Sequence, residues 1–330
     1  MNKTAATAFK AMEGSMAEIS HHILFNGHSG TALGGSLTAG DLVARFAALG
    51  HAVSIDADAD RPFEERLRSA GLSPAPVLVA AGGDGTVTAL AEVAIESGKS
   101  LAVLPLGTAN LLARDLALPL TLDAWFLAYP TMETREIDVG EVNGKVFLHK
   151  VVIGAVPGLA AAREKIRGRS DAAAIIGYLR HFIRRLSRVR RIAVEVTPEQ
   201  GAAQIKRVHA LAVSNNDYDE GLGRFFARSQ LDGGTLSLYV LNSLTASDAL
   251  RLTVEMLMGR WRADEAIDIE QVRAVTVRTR RRNVRAMLDG EILMLRGPLS
   301  FQIRPRALKV LAPPVAVAED AAPETATAGA

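Results

Sequence analysis

Apolar positions along this chain follow two textures that change near residue 130. From His21 onward, short apolar runs alternate with stretches where apolar residues recur at helical spacing. His21–Asn26 predicts a strand, followed by a Gly-rich turn over Gly27–Gly35 and a helix carrying Leu37, Leu42, Val43, Phe46 and Leu49. Ala52–Ile55 predicts a second strand, and Pro62–Ala70 a short helix opened by its proline. Pro76–Ala81 is wholly apolar, as a strand in the middle of a parallel sheet should be. A helix over Thr86–Ser97, a strand over Leu101–Leu106 and a helix over Thr108–Leu116 complete the series. Repeated strand–helix units imply a layered α/β sheet with right-handed crossovers.

After Pro130, strand patterns follow one another with turns between them. Candidates are Arg135–Val142, Val146–Ile153, Ile192–Val196, Val208–Ser214, Thr235–Leu241, Ala274–Thr279, Val284–Leu288 and Ile292–Leu295. Asn143-Gly144, Asp232-Gly233-Gly234 and Asp289-Gly290 mark turns between them. Helical insertions are expected at about 170–190 and 245–260. The expected organisation is a loose lead-in over 1–20, an α/β domain over 21–130, a mainly antiparallel β domain over 131–311 and a disordered tail over 312–330.

Composition narrows the chemistry. The 330 residues include no cysteine, which excludes a disulfide framework, a thiolate metal site and a cysteine nucleophile. Neither a secretory leader nor a run long enough to span a bilayer is legible, so the expectation is a cytoplasmic protein. The net charge is +2, but Glu319, Asp320 and Glu324 sit in the tail, so the folded body is more basic than the total. A basic body suits phosphate ligands, an anionic membrane or nucleic acid.

The chemistry concentrates at strand–helix junctions. Gly82-Gly83-Asp84-Gly85-Thr86 ends an apolar strand and opens a helix, which is a phosphate-binding geometry. Its glycines are expected to take positive φ and to let the backbone approach a ligand. A carboxylate beside a triphosphate repels it unless Mg²⁺ bridges the two or the carboxylate orients a hydroxyl, so Asp84 calls for one of these. The same residues also suit a tight turn with a capping Asp. About 25 residues on, Pro105-Leu106-Gly107-Thr108-Ala109-Asn110 repeats the arrangement, with Thr108 placed as either a ligand contact or a helix cap. Neighbouring parallel strands set such turns side by side. Asn26, at the end of the first strand, completes the row. The Walker and GxGxxG patterns are missing, which disfavours P-loop ATPases and dehydrogenases.

GGDGT followed by PLGTAN resembles the catalytic domain of the diacylglycerol kinase superfamily, which includes soluble bacterial lipid kinases, sphingosine kinases and ceramide kinases. The resemblance runs from about His21 to about Leu311. It implies an NAD-kinase-like α/β domain that binds ATP with Mg²⁺, a β-sandwich second domain, and an active site between them. Asn26, Gly82, Gly83, Asp84, Gly85, Thr86, Gly107, Thr108 and Asn110 would then hold the nucleotide. Asp289-Gly290-Glu291 reads from the residues alone as a hairpin turn. The resemblance makes Glu291 the proton acceptor, with Asp289 and Asp84 as supporting carboxylates. It also implies a structural Mg²⁺ on Asp232, with the carbonyls of Ser229 and Gly234. Three departures bear on acceptor positioning and Mg²⁺ handling. Leu111 stands where many relatives have Asp, Asn26-Gly27 and Thr31 replace Asn-Pro and Lys, and Asp56 and Asp58 occupy a stretch that often holds Thr.

Between 163 and 191 the chain carries about ten basic residues and two acids, around an apolar stripe of Ile175, Leu179, Phe182, Leu186 and Val189. A basic amphipathic helix binds anionic lipid surfaces at on the order of 1 kcal/mol per cation; it also suits a domain face with solvated arginines. With one Tyr and one Phe and no recognition motif, it is not read as a nucleic-acid site. Met256, Leu257, Met258 and Trp261 suit a greasy acceptor site or a core. The expected activity is therefore ATP-dependent phosphorylation of a lipid hydroxyl at the inner membrane surface. Diacylglycerol, a sphingoid base, ceramide and phosphatidylglycerol all fit that class. The alternatives are an NAD or other small-metabolite kinase and a non-catalytic lipid or nucleotide sensor. The oligomeric state is left open, a homodimer included.

Overall fold

The computed structural model describes residues 19–27, 37–154, 191–199, 201–221, 227–243 and 245–314. The lead-in up to residue 18, most of the first Gly-rich turn, the basic helix and the tail from 315 lie outside the described residues. So do the side chains of Met256 and Leu257.

The first part is built from β1 (His21–Phe25), α1 (Ala39–Ala48), β2 (Val53–Asp56), α2 (Phe63–Leu72), β3 (Val77–Gly82), α3 (Asp84–Ser97), β4 (Ser100–Pro105), α4 (Leu111–Asp115) and α5 (Leu122–Ala128). Its strands run parallel in the order β2-β1-β3-β4. Both faces are covered, which is why β3 and β4 are apolar at successive positions. Leu78, Ala80, Leu101 and Val103 point into one core with Leu90, Ala91 and Ala94 of α3. Val79, Ala81, Ala102 and Leu104 point into the other with Leu42, Phe46, Trp125 and Phe126. Thr38 and Asp41 form a capping box on α1, an N-terminal stop that the hydrophobic spacing alone misses.

The second part contains β5 (Glu133–Val142), β6 (Lys145–Phe147), β7 (Lys150–Gly154), β8 (Ile192–Pro198), β9 (Gln204–Val208), β10 (Ala210–Asn215), β11 (Leu236–Leu241), α6 (Ala246–Met258), β12 (Ile267–Val272), β13 (Ala274–Thr279), β14 (Asn283–Leu288), β15 (Glu291–Arg296) and β16 (Leu299–Ala312). The order β12-β11-β10-β7-β14-β15 makes an antiparallel sheet. It packs on β5, β8, β13 and β16 through Phe147, Val151, Ile153, Val194, Leu211, Leu238, Val277, Ala286 and Phe301. This is the expected sandwich. Its hairpins use the turns seen in the sequence: Asn143 and Gly144 have φ of 49° and 82°, and Asp289 and Gly290 have 45° and 98°.

β16 joins the two parts. Its start pairs with β13 and β5, it bulges between Arg304 and Leu308, and Lys309 and Val310 then lie parallel to Ser100 and Leu101 of β4. One hydrogen-bonded sheet therefore carries both the glycine turns of β3 and β4 and the sandwich that presents β14–β15.

Three details differ from the sequence expectations. Val146–Ile153 is two strands, broken at Leu148 and His149, because a carboxylate takes the amides there. The helix expected from Thr108 starts at Leu111, after Asn110 has turned left-handed with φ of 49°. β9, β12 and β16 were not expected: they are largely exposed or bulged, so no buried run announces them.

His21, buried at the start of β1, bonds Tyr129 Oη through Nε2 at 2.5 Å and Ser20 Oγ through Nδ1 at 2.8 Å. Burial, then the nearby His51, pushes its pKa down to about 4. The folded state thus binds its proton less readily than the unfolded chain. The stability His21 contributes is complete above about pH 6.5 and is lost as pH falls through about 4. Melting temperature should drop across that window, and His21→Gln should flatten the drop. An equal drop in the variant would assign it to other groups.

Candidate active site

The turns after β3 and β4 meet beside Asn26, at the carboxyl end of β1. Gly83 is the N-cap of α3 and offers no side chain to its first-turn amides. A 14-residue helix aims its positive end there. The glycines act through proximity and not through dihedral angles. Gly82, Gly83, Gly85 and Gly107 all lack positive φ, against the sequence expectation. A Cβ on Gly82 would sit 2.8 Å from Thr86 Oγ1, and one on Gly107 would sit 2.7 Å from Gly83 Cα. The two loops therefore touch backbone to backbone.

Asp84 ties them. Its Oδ1 accepts the Leu111 amide at 2.7 Å and its Oδ2 the Asn110 amide at 3.1 Å, so it caps α4 from the neighbouring loop. Asn110 folds back on its own turn, accepting from Gly107 N and donating to Gly107 O, both at 2.9 Å. Thr108 is exposed and does not occupy the N-cap position of α4. Asn26 Nδ2 donates to Thr86 Oγ1 at 3.3 Å, which links the first turn to the second. Burial pushes the Asp84 carboxyl up, against the pull of the two amides.

The β14–β15 hairpin closes the site from the sandwich. Asp289, buried, accepts the amides of Leu148 at 2.6 Å, His149 at 2.9 Å and Lys150 at 2.8 Å, and the Thr88 hydroxyl at 3.2 Å. It therefore anchors the hairpin to β6–β7 and to α3. Burial raises its carboxyl pKa, while the three amides and the charge of Arg228 oppose the rise. Glu291, two residues on, is exposed and leans over the glycine loop: a Cβ on Gly85 would run into Glu291 Oε1. Between them opens a cleft of about 570 Å³, lined among others by Asn26, Gly83, Gly85, Thr86, Lys145 and Glu291. That volume suits a nucleotide.

Because the Gly107–Gly83 contact is backbone to backbone, Gly107→Ala must move a loop. The expected cost is about 1–3 kcal/mol of stability, together with weakened nucleotide binding. Denaturant melts and titration calorimetry read both. Unchanged nucleotide affinity would mean that the loop contact does not shape the site.

The loop expected to hold a structural metal is tied down by hydrogen bonds through groups other than the carbonyls of Ser229 and Gly234. Asp232 is exposed, with Arg306 Nη2 4.0 Å from its carboxylate, and the Ser229 hydroxyl donates to Asp219 at 2.9 Å. Asp138, fully buried, holds the loop instead. It accepts the Gly234 amide at 2.6 Å and the Arg306 amide at 2.8 Å, and donates its own amide to Leu231 O at 2.7 Å. Among the described residues no three His, Asp or Glu side chains group as a cation site. One carboxylate already facing a guanidinium is a poor set for a divalent ion, so no step below runs through a metal at this loop.

Sequence reasoning missed a buried polar group behind the cleft. Arg228 and Asp115 form an ion pair at 2.5 Å with side chains 0% and 3% exposed. His149 bonds Tyr218 Oη at 2.9 Å, and Lys150 lies over the Tyr218 ring. Burial, then Arg228, lowers the Lys150 pKa to about 8.

This geometry belongs to a known group. The diacylglycerol kinase catalytic domain matches residues 20–142, and the YegS C-terminal NAD kinase beta sandwich-like domain matches 157–312. The probable lipid kinase YegS-like of Pseudomonas aeruginosa is 32% identical over 276 residues, covering 78% of this chain and 82% of that one. The chain belongs to the diacylglycerol kinase catalytic-domain family of lipid kinases. The diacylglycerol kinase of Bacillus subtilis is 25% identical over 248 residues, 73% of this chain and 78% of that one. A crystal structure of a diacylglycerol kinase from Bacillus anthracis str. Sterne superposes with a TM-score of 0.65 at 18% identity, covering 91% of this chain and 99% of that one, and so shares the fold. Family membership bears out the resemblance drawn from GGDGT and PLGTAN, and with it the α/β plus β-sandwich architecture.

Proposed function

We propose that this family member transfers the γ-phosphoryl group of ATP to a lipid hydroxyl at a membrane surface. The observation that carries the reading is the approach of the Glu291 carboxylate to Gly85, which sets a proton acceptor beside an anion-binding helix end. The N-terminus of α3, where Gly83 supplies no capping side chain, suits a phosphate. Asp84 keeps the second loop against the first. Glu291 would take the proton of the attacking hydroxyl as its oxygen bonds the γ-phosphorus and the bridging bond to ADP breaks. Mg²⁺ accompanying the nucleotide would neutralise phosphate charge. The lone pairs that Asp84 keeps beyond its amide bonds are the donors on hand for it.

Among the described residues no helix is long and apolar enough to cross a membrane. Access to a lipid therefore calls for surface binding, for which the basic 163–191 segment is the candidate. Turnover should require acceptor lipid presented in anionic vesicles and should be absent with NAD⁺ in solution. Turnover on NAD⁺ would establish a metabolite kinase. No turnover with any lipid would favour a sensor.

A further inference from the structure

We propose that the buried Asp115–Arg228 pair is a positioning device, holding the glycine loops and the Glu291 hairpin in a common register. It rests on the reading of Glu291 as the proton acceptor.

The path is continuous. Asp84, in the glycine loop, takes the amides of Asn110 and Leu111, so α4 moves with that loop. At the far end of this five-residue helix, Asp115 Oδ2 accepts Arg228 Nε at 3.0 Å and Nη2 at 2.5 Å, and Oδ1 accepts the Arg228 amide at 3.2 Å. Arg228 Nη1 donates onward to Leu148 O at 2.8 Å and Asn215 O at 2.7 Å. Leu148 then donates its amide to Asp289 at 2.6 Å, two residues before Glu291. One guanidinium thus joins α4, the β6–β7 link and the end of β10, three segments from both parts of the chain. A small cavity of about 10 Å³, bordered by Asp84, Leu111, His149, Arg228 and Asp289, lies within this circuit and belongs to the same polar junction.

A pair that served only as glue could be replaced by apolar side chains, since buried ion pairs commonly tolerate that exchange. Direction cannot be replaced in that way. The planar fork of arginine fixes angles among its three partners, which neither methionine nor lysine reproduces. Catalysis is the property sensitive to such angles, because displacement of a reacting group by about 1 Å costs on the order of 100-fold in rate.

The test is the double variant Asp115→Leu with Arg228→Met, which leaves no orphaned charge. It should fold with a lowered melting temperature, because the Leu148 and Asn215 carbonyls and the amide at position 228 lose their partners. Well below that melt its kcat should fall by about 100-fold while KM for ATP changes by less than about threefold. Amide hydrogen exchange should quicken at Asn110–Leu111 and Leu148–Lys150. If the double variant does not fold, Arg228→Lys, which keeps the charge and loses the fork, should show the same pattern. A rate within twofold of wild type, or unchanged exchange at those amides, would overturn the proposal. If the wild type transfers phosphate to no lipid, the functional reading fails, and the exchange measurement still decides whether the pair couples the two loops.

Discussion

Glu291→Gln is expected to lower kcat by about 10²–10⁴-fold with little change in melting temperature. The side chain is exposed at the start of β15, so a neutral isostere disturbs no packing. What it removes is the acceptor for the hydroxyl proton. Nucleotide affinity should stay close to wild type, because the proposed phosphate site draws on the N-terminus of α3 and not on this side chain. Fluorescent-nucleotide titration and steady-state kinetics separate the two effects. Equal losses in binding and in rate would move Glu291 from proton transfer to nucleotide binding, and full activity would remove it from the mechanism.

Asp289→Asn should act in the opposite sense, through the fold first. The buried carboxylate receives three backbone amides and the Thr88 hydroxyl. An asparagine has one acceptor oxygen, and its NH₂ would face donors. Leaving one or two buried amides unpaired costs about 1–3 kcal/mol each. A loss of about 2–5 kcal/mol in urea unfolding is therefore expected, with activity falling because the hairpin carrying Glu291 loses its anchor. A stable but inactive Asp289→Asn would instead mark Asp289 as a group that acts on the substrate.

Much of this architecture is legible in the chain because burial leaves a pattern. β3 and β4 are apolar throughout since helices cover both faces, and the turns that follow them are the sites that matter. Asn143-Gly144 and Asp289-Gly290 name their hairpins through the left-handed dihedrals they require. What stays hidden depends on partners distant in sequence. Arg228 carries no sequence signal of burial, yet it is enclosed with Asp115, 113 positions earlier, folded against it. Asp138 lies in a strand and reads as an alternating polar position, but it clamps Gly234 and Arg306, 96 and 168 positions away. Gly85 was legible as part of a phosphate loop. That its missing side chain makes room for Glu291 was not, because the two meet only when β16 has joined the sheets.

The central claim is that the GGDGT loop and Glu291 form one phosphoryl-transfer site. Its most direct test uses γ-labelled ATP with wild-type protein and a panel of hydroxyl-bearing lipids in anionic vesicles, with mass identification of the product. The account predicts label on a lipid hydroxyl as a phosphate monoester, one ADP per product, and loss of that label with Glu291→Gln. Label transferred equally well by Glu291→Gln, or ATP consumed without any phosphorylated lipid, would contradict it.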